Sequence, residues 1–259
     1  MDLFNLDPAT IFSFFLTLMR VSLILFLMPF FGGSVLPNPI KAALCLVLSL
    51  AIWPRLSFPG AIMPASPWMI ALMLFGEVIM GLLLDVIVRF LFAAVQTAGH
   101  YVGFAMGFAI MNVVDPLSGA QEPITGHVLY QTTMLIFLSL NGHLFLLQGL
   151  ADSFHLVPPG GLLINPELGE HLLAFSGNIF VLAAKIAAPV IASLFLVDLA
   201  LALISRAAPQ MNVLFIGFPL KIGVGFVFMT LVLTALARYV GEYIIEMDAI
   251  FRAVLKGVS

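Results

Sequence analysis

Charged residues are scarce in this chain. Of its 259 residues only 9% are charged, while 62% are hydrophobic. Soluble domains carry roughly a quarter charged residues, so the chain must meet lipid or partner proteins that are as apolar as lipid. Its formal net charge is −3, and it has no basic patch that could neutralise phosphates, which argues against nucleic acid as a partner.

Cysteine pairs and catalytic signatures are also lacking. Cys45 is the only cysteine, so no disulfide can form within the chain. The sequence has no HExxH or GxSxG motif, and no glycine-rich loop ends in Lys-Ser or Lys-Thr, which argues against zinc proteases, serine hydrolases and ATP hydrolysis. The 5 histidines are spread out, with none four residues from another. We therefore expect no metal site, no cofactor and no enzyme activity.

Apolar segments of unequal length fill most of the chain. Five or six blocks can be distinguished: Ile11–Phe31, Ile40–Trp53, Met69–Ala98, Val128–Ala151, Leu172–Ile204 and Val213–Ala237. A spanning helix needs ~20 residues, so the second block is short and the third is long. Asn141-Gly142-His143 breaks the fourth block and Pro189 interrupts the fifth. We expect a single all-α, membrane-associated domain built from broken helices and helical hairpins.

A few ionisable residues interrupt the apolar blocks. A polar stripe on one helix face carries Glu77, Gly81, Asp85 and Arg89. A charge at the bilayer centre costs ~2.5–3.5 kcal/mol, so these side chains should face protein, water or each other. We interpret the stripe as a buried charge seam, which is either a structural set of ion pairs or a proton or substrate relay. Arg20 and Lys185 have no nearby partner in sequence and should pair with another segment or another chain.

Glycine recurs every four residues in GHYVGFAMGFAIMNVVDP, at Gly99, Gly103 and Gly107. Small residues at this spacing expose a backbone face for close helix packing. The apolar residues around and after the last glycine allow two interpretations. One is a tight helix pair closed by a surface turn. The other is a hydrophobic constriction that excludes water from a pore, formed by Phe108, Ile110, Met111 and Val113.

The segment SRAAPQMNVLFIGFPLK at Ser205–Lys221 mixes polar residues, prolines and a glycine between two apolar blocks. Its prolines and glycine leave backbone groups without helical partners, and these groups need hydrogen bonds that hydrocarbon cannot supply. We expect a structural turn from Pro209 to Lys221 that is buried against protein, with Arg206 and Lys221 pairing to neighbours. The candidate turn or inter-subunit residues are Arg206, Pro209, Gln210, Asn212, Gly217, Pro219 and Lys221.

These segments together resemble the FliR family of the flagellar protein export gate. The matching pieces lie in order over nearly the whole chain: Leu18–Pro37, Gly76–Asp85, the glycine helix with VDP at Val114–Pro116, Leu140–Gly161 and Ser205–Gly225. The last piece is the most specific, because its polar and proline positions have no compositional reason to coincide. The homologous SctT subunit of virulence type III secretion systems is similar, and the Arg-Pro-Gln-Met-Asn residues of the last piece favour the flagellar branch.

The resemblance implies a non-enzymatic subunit of the type III export gate, located in the bacterial inner membrane at the flagellar basal body. One copy would join about five FliP-like and about four FliQ-like subunits around a channel for unfolded flagellar proteins, with FlhB and FlhA nearby. The chain, residues 1–259, would fuse a FliP-like part, about 1–165, to a FliQ-like part, about 166–259. The loop after the glycine helix would plug the channel, through Ile110, Val113, Val114, Asp115 and Pro116.

Two alternatives remain open at this point. One is an export-gate subunit of a virulence type III secretion system. The other belongs to a different class, a proton-coupled small-molecule transporter, which would use Glu77, Asp85 and Arg89 as its relay. An intramembrane enzyme would need a reactive dyad, and the sequence offers none.

Overall fold

The computed structural model describes residues 8–32, 36–55, 64, 66–108, 123–161 and 166–256, and these form helices without any strand. The helices are α1 (Pro8–Leu27), α2 (Pro29–Gly32), α3 (Asn38–Ile52), α4 (Pro67–Met106), α5 (Ile124–Ser139), α6 (Gly142–Leu156), α7 (Pro166–Ala207) and α8 (Val213–Lys256). A 3₁₀ turn, Trp53–Arg55, follows α3. The predicted all-α fold is confirmed.

Four helices are long and apolar enough to cross a membrane within the described residues. They comprise Pro8–Leu27, Pro67–Met106, Leu168–Ala207 and Phe215–Leu255. Helices α5 and α6 are apolar too, but they meet at an angle of 68° and would make a fifth, broken span. Helix α3 has 15 residues, which is too short to span, as the length of the second apolar block predicted.

The break between α5 and α6 has a local cause. Asn141 adopts the left-handed conformation, with φ 58° and ψ 26°, which asparagine tolerates better than most residues. The carbonyl of Asn141 then accepts hydrogen bonds from the N–H groups of Leu144 and Phe145, at 2.9 and 3.4 Å, and these bonds start α6 in a new direction. The predicted kink in the fourth apolar block is therefore present.

Proline does not break the two longest helices. Helix α7 runs for 42 residues through Pro189, and α8 runs for 44 residues through Pro219. The expected interruption at Pro189 is thus wrong. Proline removes one N–H donor but has a helical φ, and Ile186, Ala187 and Val190 are buried on the inner side of α7. Packing of these neighbours holds the helix across the missing hydrogen bond.

Two compact units can be distinguished. The first unit comprises Met1–Arg89, Asn141–Ala174 and Ile244–Ser259. Its core joins apolar residues of α1, α4, α6 and the end of α8: Val21, Ile24, Met80, Ile87, Leu146, Leu150, Phe251 and Val254. Gly149 allows a close approach here, because a Cβ at that position would lie 2.8 Å from the Phe251 ring.

The second unit comprises Phe90–Leu140 and Phe175–Tyr243. Its core joins α4, α5, α7 and α8 through Val95, Ala98, Val102, Met106, Leu129, Phe137, Ile186, Leu194, Met229 and Leu236. Both units draw on residues from either side of position 165. The expected division into a FliP-like and a FliQ-like part concerns likeness to separate proteins, and it stays a prediction.

Candidate functional site

Arg20 and Glu77 form a buried ion pair in the first unit. The Arg20 Nε donates to Glu77 Oε2 at 2.5 Å, and Nη2 donates to Oε1 at 2.9 Å. Both side chains are 1% exposed. Arg20 therefore finds its partner on a distant segment of the same chain, which is one of the two outcomes that the sequence suggested. A bidentate, charge-assisted pair of this kind fixes geometry as well as charge.

Further hydrogen bonds complete this ion pair. Arg20 Nη1 donates to the carbonyl oxygens of Ser153 at 3.1 Å and Val157 at 3.0 Å. The Gly160 N–H donates to Glu77 Oε1 at 3.0 Å. The guanidinium also lies 4.4 Å from the centre of the Phe154 ring. The Ser153 carbonyl also accepts the Val157 N–H at 2.9 Å, so Arg20 both neutralises Glu77 and adds a further donor at the end of α6.

The predicted charge seam divides into two separate pairs. Arg89 pairs with Asp85 one turn before it on α4, and Arg89 Nη2 donates to the carbonyl of Leu27 at 2.7 Å. Asp85 is buried, but the Arg89 side chain is 53% exposed. The expectation that Arg89 lies in a buried seam is therefore corrected. The carbonyl of Leu27 sits at the end of α1, and the long arginine side chain reaches it only by lying at the surface.

The second carboxylate oxygen of Asp85, Oδ1, has no hydrogen-bond partner among the described residues. It lies at a cavity of about 10 Å³ whose other walls are apolar side chains, including Ile24, Met28 and Leu84. A bound water needs two to four polar partners, and this cavity offers fewer. Among the described residues that line this cavity, Asp85 is the only polar one, which favours a structural pair with Arg89.

The glycine helix packs closely on α5 in the second unit. Gly99 meets the backbone of Gly126, and Thr125 Oγ1 donates to the Gly99 carbonyl at 2.8 Å. A Cβ at Gly103 would lie 2.6 Å from the Pro123 Cβ and 2.7 Å from Thr125 Oγ1. The end of α4 and the start of α5 therefore lie in close contact, with no room for a side chain at Gly99 or Gly103.

Gly107 ends α4 with a positive φ of 92°. Its N–H donates to the Phe104 carbonyl at 3.0 Å, and the Phe108 N–H donates to the Gly103 carbonyl at 2.9 Å. This pair of bonds is the Schellman arrangement, in which a glycine in a left-handed conformation closes a helix. Phe108 is half-buried. The other predicted plug residues lie outside the described residues: Ile110, Met111, Val113, Val114, Asp115 and Pro116.

The turn between α7 and α8 is shorter than the sequence suggested. Helix α7 ends at Ala207 and α8 begins at Val213, so Pro209 and Gln210 lie in the turn. Asn212 precedes α8 and accepts a hydrogen bond from the Phe215 N–H at its side-chain Oδ1, at 3.4 Å. An asparagine before an apolar run is a helix-start signal that the sequence interpretation missed.

The last three turn candidates lie within α8, and these are Gly217, Pro219 and Lys221. Pro219 is the seventh residue of α8, so it removes an N–H that would otherwise bond the Phe215 carbonyl within the helix. Lys221 pairs with Asp198 of α7, so its partner belongs to this chain rather than to a neighbour. Arg206 is exposed at the end of α7. Asp198 and Lys221 lie on different helices, so spacing along one helix did not reveal this pair.

An open cleft of about 350 Å³ lies beside this ion pair in the second unit. Gly107 and Phe218 line it together with Asp198 and Lys221. A Cβ at Gly107 would lie 3.0 Å from the Phe218 ring. The end of the glycine helix thus borders a partly polar cleft.

Comparison with known proteins places the chain in a family. The family model described as "Bacterial export proteins, family 1" matches residues 11–247. The "Flagellar biosynthetic protein FliR" of Bacillus subtilis (strain 168) is 36% identical over 231 residues, which cover 88% of this chain and 87% of the relative. The protein of the same name from Escherichia coli (strain K12) is 32% identical over 226 residues, which cover 87% and 86%.

A virulence protein is also similar. The "Yop proteins translocation protein T" of Yersinia pestis is 32% identical over 194 residues, which cover 73% of this chain and 72% of the relative. The resemblance inferred from the sequence is thus confirmed, including the relationship to virulence secretion. The chain belongs to the family of bacterial export proteins that contains the flagellar biosynthetic protein FliR.

Proposed function

We propose that this chain is a subunit of the flagellar type III export gate in the bacterial inner membrane, where it lines and plugs the channel for unfolded flagellar proteins. The observation that carries the plug assignment is the tight junction of α4 and α5. Gly99 meets Gly126, and Gly103 meets Pro123. The described helix ends on either side of residues 109–122 are therefore packed against each other.

A plug requires that the helix ends on either side of it are held in fixed positions. The segment between the Gly107 cap and Pro123 is flanked by close contacts, with Gly99 against the backbone of Gly126 and Gly103 against side-chain atoms of Pro123 and Thr125. Its apolar residues, Ile110, Met111 and Val113, can then occupy a fixed position across a pore. A hydrophobic constriction blocks ions because water and its solutes avoid it, and an arriving polypeptide would displace it.

The exposed apolar surface supports assembly with other subunits. In the most apolar stretches of α7 and α8, only 33% and 22% of the residues are buried. Large apolar side chains such as Phe195, Phe215 and Phe226 are exposed there. FliP-like and FliQ-like subunits would cover these faces around a shared channel, with FlhB and FlhA as further partners in the basal body.

The geometry of the charged residues supports a structural role over a transport relay. Glu77 already accepts hydrogen bonds from Arg20 and Gly160 in a buried site. Asp85 is paired with Arg89 and otherwise faces an apolar cavity. A proton-coupled small-molecule transporter needs titratable groups that exchange partners along a wet path. The flagellar branch is favoured over the virulence branch because the flagellar relatives match more of the chain.

Membrane conductance tests the plug. Replacing Ile110 and Val113 by glycine, or deleting residues 112–116, in the co-expressed complex should make cells leak ions and small solutes, because the constriction loses its apolar bulk. Ile110→Leu with Val113→Ile, which keeps apolar side chains at both positions, is the matched control and should leave conductance low. Unchanged conductance in the plug variants of an assembled complex would rule the plug out.

Purification in mild detergent tests the class of protein. The chain co-expressed with the neighbouring export genes should elute as a stable particle that contains several different polypeptides. A lone monomer or homodimer that transports a small molecule would instead support the transporter, and the export-gate proposal would be wrong.

A further inference from the structure

The end of α4 packs on one face of α8 at two points. A Cβ at Gly107 would lie 3.0 Å from the Phe218 ring. A Cβ at Gly225 would lie 2.7 Å from the side chain of Met106, which is fully buried. Residues 218 and 225 are seven apart, so both lie on one side of α8. The helix end that precedes residues 109–122 therefore rests on α8.

Lys221 lies between these two contacts. It follows Phe218 by three residues and precedes Gly225 by four, which is the spacing of neighbours on one helix face. Its ammonium group pairs with the carboxylate of Asp198 on α7. The face of α8 that holds the end of α4 is thus tied to α7 by an ion pair.

The ion pair and a nearby close contact set the register of α8 along α7. Asp198 and Lys221 both lie about two helical turns from the turn that joins the two helices. Between the pair and that turn, a Cβ at Gly217 would lie 2.9 Å from Leu201 Cδ1. A slide of α8 by one residue would move Lys221 by ~1.5 Å along the helix axis, which is enough to part it from Asp198.

The open cleft of about 350 Å³ leaves room for such a slide. Gly107, Phe218, Asp198 and Lys221 all line it. Atoms beside empty space gain no new contacts when an old one is removed, so the cleft does not replace a lost contact. Lys221 is 25% exposed and Asp198 is 51% exposed. The pair therefore contributes to the position of α8 rather than to core packing.

We propose that Lys221 and Asp198 are positioning residues for the plug. Their ion pair holds Phe218 and Gly225 of α8 against the end of α4, and this contact keeps the Gly107 cap where residues 109–122 close the channel. This inference rests on the proposed function, because it concerns the control of the same plug. When the pair is broken, α8 is free to shift, the cap moves with it and the constriction admits water.

Ion leak through the co-expressed complex tests the pair. Lys221→Met and Asp198→Asn should each raise the leak of cells roughly threefold or more, because a hydrophobic constriction conducts once water enters it. The yield of assembled complex should stay nearly unchanged, since loss of a partly exposed pair costs little stability. Lys221→Arg keeps the pair and should keep the leak low. Arg238→Met is the matched control, because it removes an exposed ion pair of α8 that does not line the cleft.

Three further variants show whether the pair acts through the plug. Exchange of the charges, with Asp198→Lys and Lys221→Asp together, should restore the low leak because the pair can form again. Lys221→Met added to the deletion of residues 112–116 should leak no more than the deletion alone, since the plug is then absent. Phe218→Ala keeps the ion pair but removes the ring at Gly107, and it should leak as Lys221→Met does.

Several results would overturn this proposal. These are a low leak in assembled complexes with Lys221→Met, Asp198→Asn or Phe218→Ala, an equal leak with Arg238→Met, or a leak of Lys221→Met that adds to that of the deletion. Loss of assembly in all three variants would also overturn it, because the role of these residues would then be purely structural. If the plug variants leak and these variants do not, only the positioning role is wrong. If the plug variants themselves do not leak, the plug and this inference fail together.

Discussion

Removing the charge of Arg20 should destabilise the first unit strongly. Arg20 and Glu77 are each 1% exposed, so Arg20→Met would leave the Glu77 carboxylate buried with the Gly160 N–H as its remaining donor. The carbonyls of Ser153 and Val157 would lose a donor as well. Breaking a buried pair by removing one partner costs ~3–5 kcal/mol, because an uncompensated charge stays in the interior.

A second substitution separates the charge from the lost packing. In Arg20→Met with Glu77→Gln, neither position carries a charge, and the glutamine oxygen can still accept from the Gly160 N–H. Replacing both members of a buried pair by neutral groups is often close to neutral in stability. We therefore expect the double variant to be more stable than Arg20→Met alone, although it lacks more native groups.

Thermal unfolding in mild detergent measures both effects. For a chain of about this size, 1 kcal/mol corresponds to a shift in Tm of ~2–4 °C, so Arg20→Met should lower Tm by ~6–20 °C. Arg238→Met is the control, since the pair of Arg238 with Glu242 is 82% and 53% exposed and such pairs contribute ~1 kcal/mol or less. The reasoning is refuted if Arg20→Met shifts Tm no more than this control does, or if the double variant is the least stable.

Two glycine substitutions test the base of the proposed plug. Gly103→Leu should lower Tm or abolish folding, because even a Cβ would lie 2.6 Å from Pro123. Gly223→Leu is the control and should be tolerated, because nothing lies within 4 Å of a Cβ at that position of α8. Equal effects of the two substitutions would contradict the close contact at Gly103. Gly107→Ala should lower the free energy of unfolding by ~1–2 kcal/mol, since the φ of Gly107 is 92° and residues with a side chain disfavour that conformation. A Tm equal to that of the unsubstituted protein would disprove the need for glycine there.

Local sequence signals determined the helical content and several of its breaks. Low charge and long apolar blocks predicted an all-α membrane-associated chain, and the length of Ile40–Trp53 predicted a helix too short to span. Asn141 indicated a kink, because asparagine adopts the left-handed backbone conformation more readily than most residues. These features depend on neighbours within about one helical turn, which is the range that a single sequence displays.

The tertiary structure decided whether the prolines break their helices and which charged residues pair. Pro189 and Pro219 look like helix breaks in the sequence, yet α7 and α8 continue through them. At Pro189, packing of the buried neighbours Ile186, Ala187 and Val190 outweighs one missing hydrogen bond. Arg89 shares a helix face with Asp85, but it turns outward to reach the end of α1. The direction of such a side chain depends on which helix end lies nearby, and spacing along one helix does not predict that.

The sequence by itself determined that Arg20 and Lys185 each need a counter-charge, since the cost of a bare charge among apolar residues depends only on composition. Which acid pairs with Arg20 was decided by folding. Glu77 lies 57 positions away along the chain and contacts Arg20 only when α1 packs on α4. Ion pairs act over a few ångströms, whereas the chain separates their members by whole helices. Proximity in space is created by packing, and no local pattern encodes it.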